Sequence, residues 1–231
     1  MKDTAPDTAP EAALDPAIRV KLARNAEILT EELGQRRSME LGLPLDAQEN
    51  PLPWYTYPAI EFLGSFDFAG CRVFEYGGGN STRYWLGRGA TVHTVDHAPD
   101  WVAHAGAQAH PGQRVELRTE REGYVGALTA AGGLWDVIVI DGRWRLQCAA
   151  IVPDHLAPGG LIILDNSDWY PRTAALLRGQ GFFQFDHSGF GPINNYTWST
   201  SFFIKADTRL QKSYANPQAI GSQVSNGDDN D

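Results

Sequence analysis

From residue 71 onward the chain alternates short runs rich in Val, Ile and aromatic residues with stretches of helical periodicity, and this alternation restricts its fold more than any other feature. Runs at 72–75, 91–95, 114–117, 135–140, 161–164, 182–185 and 198–204 read as strands. Helices are expected between them, at 81–86, 98–109, 124–131, 143–155 and 171–179. Strands that alternate with helices form right-handed βαβ units, and their natural arrangement is an open α/β sheet with helices on both faces. The last two runs break the alternation. Residues 186–197, which join them, carry no helical pattern, so that pair is expected to be an antiparallel hairpin.

Before the first strand, Ile18, Leu22, Ala26, Leu29 and Leu33 recur at helical spacing, with Gly34 and Gly42 as stops, so residues 11–41 read as an amphipathic helical arm. Residues 43–57 contain Pro44, Pro51 and Pro53, which forbid regular structure there, together with Trp54, Tyr55 and Tyr57. A short helix is expected at 58–65. Residues 1–10 and 211–231 are polar with little to bury and are expected to be disordered. The division is thus 1–10, an arm and lid at 11–66, a sheet domain at 67–210 and a tail at 211–231, and 231 residues suit one core.

Charge narrows the partners. Against 28 Asp and Glu stand 19 Lys and Arg, a net −9, whereas a phosphate-backbone binder relies on an excess of cations; no nucleic-acid partner is expected. The two cysteines, Cys71 and Cys148, fall in a strand and a helix and read as free buried thiols of a reducing compartment. No apolar run approaches the roughly 20 residues that cross a bilayer, and the first ten residues lack the apolar centre of a signal peptide. The expectation is a cytoplasmic protein with no membrane partner. Its exposed arm is available for a homodimer contact.

The most informative segment is VFEYGGGNSTRYW at residues 73–85: a strand, three glycines (Gly77, Gly78, Gly79), then Asn80, Ser81 and Thr82 opening a helix. Glycines let a ligand approach the backbone, and a helix start offers free N–H groups. In doubly wound sheets this first turn is where nucleotide-like ligands lie. A dinucleotide fingerprint would want a third glycine where Thr82 stands. An acid, Glu75, precedes the glycines, and the second strand ends in Asp96, suitably placed to accept both hydrogen bonds of a ribose diol.

On these residues the chain resembles the class I S-adenosylmethionine-dependent methyltransferases. WDVIVIDG at 135–142 is similar to that family's fourth-strand motif, and HLAPGGLIILDN at 155–166 to its turn into strand five. The likeness spans about residues 67–205. It implies a Rossmann-like seven-stranded sheet of order 3-2-1-4-5-7-6 with the last strand antiparallel, S-adenosyl-L-methionine as cofactor, and methyl transfer to a small-molecule acceptor. It assigns Glu75, Gly77, Gly78, Gly79, Asn80 and Ser81 to the methionine part and Asp96 to the ribose. His97, Glu120 and Asp141 complete the expected cofactor contacts.

Asp141 ends strand four, and Asp165 and Asn166 end strand five, so three oxygen donors are expected on one edge. That set is similar to the metal site of catechol O-methyltransferase, and the resemblance allows an Mg²⁺ ion that binds and acidifies an acceptor hydroxyl. The lysine base of that enzyme has no counterpart: Trp144 stands in its place, between Arg143 and Arg145. His97 and His187 are the alternative bases, beside Asp141 as a pocket residue. Arg143 and Arg145 are candidate clamps for an acidic substrate, and Trp54, Tyr55, Tyr57, Trp144 and Trp169 are candidate walls for a flat acceptor. Three other readings stand beside this one: a metal-independent methyltransferase, a nicotinamide-dependent oxidoreductase, and a nucleotide-binding module without catalysis.

Overall fold

The computed structural model describes residues 14–208, 211–212 and 220–221. The expectation of disorder at 1–10 lies outside the described residues, as does most of that for 211–231.

Helix α1 (Pro16–Glu27) begins where Asp15 accepts the Ala17 N–H and Pro16 supplies a preset φ. One wide helical turn, Ile28–Glu32, carries it to Gly34, which sits at φ 77°, and a Cβ there would lie 2.5 Å from the carbonyl carbon of Asp46. The arm breaks at Gly34, one of its two expected stops, with α2 (Gln35–Leu41) following the glycine and ending at Gly42. After the proline-rich strap come α3 (Tyr57–Gly64) and a two-residue strand, β1 (Phe66–Asp67).

The main sheet is then built from β2 (Arg72–Tyr76), α4 (Asn80–Gly87), β3 (Thr91–Asp96), α5 (Pro99–Ala105), β4 (Gln113–Leu117), α6 (Arg121–Ala131), β5 (Trp135–Ile140), α7 (Arg145–Ile151), β6 (Leu156–Leu164), α8 (Pro171–Gly179), β7 (Phe183–Gly189) and β8 (Trp198–Ile204). A second two-residue strand, β9 (Gln211–Lys212), pairs antiparallel with β1, so this part of the expected tail is ordered. The seven-stranded order is β4-β3-β2-β5-β6-β8-β7, which is 3-2-1-4-5-7-6 when its strands are counted alone, and β8 runs antiparallel to both neighbours.

Burial on both faces explains why the central strands read as unbroken apolar runs. Phe74, Tyr76, Ile138, Ile140, Ile162 and Leu164 point to one face, where they pack with Leu128 of α6, Ala149 of α7 and Leu177 of α8. Val73, Val137, Val139, Leu161, Ile163 and Phe202 point to the other, with Leu63 of α3 and Trp85 of α4. Cys71 and Cys148 are free thiols; Cys148 is buried as expected, whereas Cys71, just before β2, is only half-buried. No helix among the described residues is long and apolar enough to cross a membrane.

Register positions the site. Tyr76 pairs with Val95 on one side and Ile140 on the other, and Ile140 pairs with Leu164. One position beyond this level row stand Asp96, Gly77, Asp141 and Asp165, side by side at the carboxyl edge. Strand β8 enters the same edge from the opposite direction, its Ser201 facing Leu164, which brings Thr200 and Trp198 alongside Asp165.

Candidate functional site at the carboxyl edge

A cleft of about 370 Å³ opens over this row. Its wall includes Trp54, Gly77, Gly78, Gly79, Asn80, Ser81, Asp96, His97, Asp141, Arg143, Asp165, Asn166 and Trp169, all expected from the sequence. Pro44, Trp101, Gly142, Asn194, Tyr196 and Trp198 also line it and were not anticipated.

The glycine turn is built for close backbone approach. Gly77 holds φ 98°, and a Cβ on it would come within 2.7 Å of the Gly142 nitrogen, so neither its conformation nor its space admits another residue. Asp96 secures the turn: Oδ2 accepts the Gly78 N–H at 2.9 Å and Oδ1 the Ala98 N–H at 2.8 Å. Each carboxylate oxygen can accept a further bond. Thr82, where a dinucleotide site would have glycine, is fully buried and donates to Glu75 Oε2 at 2.6 Å. Thr94 reaches the same oxygen at 2.9 Å. Glu75 lies wholly buried under the turn, and burial raises its carboxyl to about pH 7, partly opposed by the hydroxyls of Thr82, Thr94 and Ser81. Its Oε1 makes no hydrogen bond of ordinary geometry.

Other expected contacts resolve differently. Asn80 is 4% exposed and its amide is committed, donating to the Pro44 carbonyl at 2.7 Å and meeting His104 Nε2 at 2.8 Å, so it ties the strap to α4. Glu120 is exposed as the residue before α6, three positions beyond Leu117, which pairs with Asp96, and it is not part of the cleft wall. Trp144, at φ 51°, turns inward against Tyr124, 5.2 Å between ring centres, and against His97 at 6.3 Å. Tyr55 and Tyr57 are buried beneath the strap rather than in the wall. His187 is removed from the cleft by strand geometry. Its position in β7 opposite Thr200 sends the ring against Phe62 and Phe202, at 4.8 and 4.9 Å.

Asp141 and Asp165 face the cleft from adjacent strand ends. Burial lifts Asp141 to about pH 6, with Arg145 pulling the other way. Asp165 is pushed up more strongly, by burial and by the charge of Asp141, although Thr200 and Trp198 offset part of the rise. Thr200 Oγ1 donates to Asp165 Oδ1 at 2.5 Å and Trp198 Nε1 donates to it at 3.1 Å. Asp165 and Asn166 do not cap a helix: residues 165–169 form turns, and Asn166 takes φ 50°.

The expected metal set does not fit this environment. The guanidinium of Arg145 already stands 3.1 Å from Asp141 Oδ1, and a divalent cation on the same carboxylate would face that fixed positive charge at short range. Among the described residues no three His, Cys, Asp or Glu side chains converge as a metal cage. Arg145 is likewise no substrate clamp, since its donors are spent within the protein. Arg143 is exposed at the rim, 5.3 Å above the Trp144 ring, and is free to meet an anion.

Aromatic side chains descend from rim to floor opposite the glycine turn. Trp169 is 54% exposed and Tyr196 45%, whereas Trp198 is 2% exposed. Their ring centres are 6.1 Å apart for Trp169 and Tyr196 and 5.9 Å for Tyr196 and Trp198. The arm fastens the loop that carries Tyr196 and leads into Trp198, for Gln35 Nε2 donates to the Gly191 carbonyl at 2.8 Å and the Asn194 carbonyl at 3.3 Å.

No protein-family profile matches the chain. No curated protein matches it either. Among solved structures it is similar to the precorrin-6Y C5,15-methyltransferase of Geobacter metallireducens, with 12% identity over 60% of this chain and 81% of that one and a TM-score of 0.49. It is also similar to the precorrin 8W decarboxylase of Methanobacterium thermoautotrophicum (16% identity, 70% and 95% of the chains, TM-score 0.47). A TehB-like S-adenosylmethionine-dependent methyltransferase from Corynebacterium glutamicum matches at 14% identity, over 83% and 100% of the chains, with a TM-score of 0.43. Likeness at this level leaves the functional reading to the residues of the cleft.

Proposed function

We propose that this protein is an S-adenosylmethionine-dependent methyltransferase that methylates a hydroxyl group on a small, flat acceptor. The observation that carries the reading is the level row of Gly77, Asp96, Asp141 and Asp165, with an open glycine backbone at one end and, at the other, the half-buried Asp141 beside the buried Asp165. The residues fit the cofactor. Gly77, Gly78 and Gly79 offer the backbone, and Asp96 keeps acceptor capacity for a ribose diol. Glu75 lies buried beneath the turn, outside the cleft wall, and its Oε1, which makes no hydrogen bond of ordinary geometry, is an acceptor for the ammonium of the methionine part where the turn gives access to it. Ser81 opens α4 beside it, and His97 with Asp141 flanks the space between.

When bound, S-adenosylmethionine supplies an electrophilic methyl group on sulfur. The chain's own residues orient the acceptor and take its proton. The Trp169, Tyr196 and Trp198 rings offer faces on which a planar molecule stacks, and they keep water from the reacting centre. Asp141, ionised above about pH 6, is the proton acceptor for the hydroxyl, while Asp165, pushed above the usual carboxylate range by burial and by the charge of Asp141, stands beside it at the same edge. His97 lies on the cofactor side of the row, and no step needs a metal. The test is methyl transfer from isotopically labelled S-adenosylmethionine to a panel of hydroxyarenes, with aliphatic alcohols and amines as controls. Labelling of the hydroxyarenes alone is expected; label on the amines alone would overturn the choice of oxygen.

A further inference from the structure

Two carboxyls that face one cleft from neighbouring strands need a counter-charge, and the protein carries it in a specific place. Arg145 is the first residue of α7, where a cation is disfavoured by the helix dipole, and yet it is 8% exposed. Its guanidinium is held on every side. Nε donates to the Gly142 carbonyl at 2.9 Å, and Nη2 donates to the Asp141 carbonyl at 2.8 Å and to Asp141 Oδ1 at 3.1 Å. Nη1 donates to the Asp165 carbonyl. The Tyr170 ring lies 4.4 Å from its central carbon and covers its flat face. One side chain therefore joins the end of β5 to the end of β6 and places a full positive charge behind both acids.

We infer that Arg145 is a resident cation that stands in for a divalent metal at the Asp141 and Asp165 pair. It neutralises the pair from within the fold and keeps metal ions out. A planar guanidinium suits this role because its fork of donors meets several oxygens at once and its charge persists at all working pH. A second cation entering from the cleft would meet the repulsion of a fixed charge 3.1 Å from Asp141 Oδ1, only weakly screened because Arg145 and Asp165 are buried. Removing the charge should reverse the preference. Asp141, Asp165 and the Asn166 amide would then present hard oxygen donors to the cleft with nothing opposing a cation. Arg145 acts through the two acids and is a positioning residue.

The test titrates Mn²⁺ as a spin probe into the full chain and reads free and bound ion by electron paramagnetic resonance, which requires no turnover and no cofactor. Wild type is expected to leave Mn²⁺ free at millimolar concentration. Arg145→Met, which keeps much of the length without the charge, is expected to bind one ion at least about tenfold more tightly than wild type, as follows from removing a buried like charge. Arg145→Met combined with Asp165→Asn should lose that binding again, and Arg145→Lys, which keeps the charge, should not gain it. Stoichiometric Mn²⁺ binding by wild type that Asp165→Asn abolishes would overturn the inference, and so would a folded Arg145→Met that gains no ion. If circular dichroism shows Arg145→Met unfolded, wild type and Arg145→Lys still decide: ion bound by either refutes the account, and ion bound by neither supports it.

Discussion

The two halves of the cleft are made in different ways. On the side of β2 and β3 the wall is three consecutive glycines, the Asp96 carboxylate that holds the Gly78 N–H, and the nearby side chains of Asn80, Ser81, His97 and Trp101, all within the stretch from Gly77 to Trp101. On the side of β5, β6 and β8 the wall is side chains gathered from across the sequence. Trp54 comes from the strap, Asp141, Asp165 and Trp169 from crossover loops, and Tyr196 and Trp198 from the final hairpin. A backbone cradle recognises what many ligands share, whereas a wall of assembled side chains recognises one acceptor. The first half is the natural place for a common cofactor and the second for the variable partner.

Substitutions should separate the halves. The largest effect is expected from Asp141→Asn, which removes the proton acceptor and should lower kcat by about 10²- to 10⁴-fold while the S-adenosylhomocysteine affinity stays within a few-fold, read by steady-state kinetics and calorimetry. A comparable loss of cofactor affinity would return Asp141 to the cofactor half. In wild type the acid limb of kcat/KM should fall as pH drops through about 6, because burial raises the Asp141 carboxyl and protonation below that value removes the base. A flat profile from pH 5 to 8 would show that another group takes the proton.

Asp96→Ala should act on the other half, weakening S-adenosylhomocysteine by at least about tenfold, roughly 1.4 kcal/mol, through lost charged hydrogen bonds. Smaller still is the effect expected from Trp169→Ala. It removes a half-exposed stacking face and should raise the acceptor KM by about 3- to 10-fold, with cofactor affinity unchanged. The comparison would fail if cofactor affinity moved with it. His187→Ala should leave both halves alone, because its ring packs on Phe62 and Phe202 outside the cleft; a kcat loss beyond about twofold would put it back among the catalytic candidates.

The same division explains what the sequence could show. Helices and strands from residue 71 onward were legible because each buried strand is a near-continuous apolar run, whereas the order of the sheet came only with the family resemblance. The glycine turn, Asp96, Asp141 and Asp165 were legible because each sits at a strand end, where position alone brings it to the edge. Tyr196, Trp198 and Asn194 were not, since their place depends on β8 running antiparallel between β6 and β7 and on Gln35 holding the loop. The antiparallel hairpin itself had been anticipated, and counting its residues back from Leu164 would have found Thr200 and Trp198. His187 failed for the converse reason: it lies near a strand end, but in β7, at the far edge of the sheet. Arg145 looked like a substrate clamp because an Arg at a helix start signals unusual use; the use is internal, toward carbonyls that no sequence pattern reveals.

The central claim is that the glycine half binds S-adenosylmethionine through Asp96. Its most direct test is calorimetric titration of wild type and Asp96→Ala with S-adenosylhomocysteine, with NAD as the control ligand. One-to-one micromolar binding by wild type, at least about tenfold weaker in the variant, with no response to NAD, is the predicted result. A folded wild type that ignores S-adenosylhomocysteine, or that binds NAD instead, would contradict it.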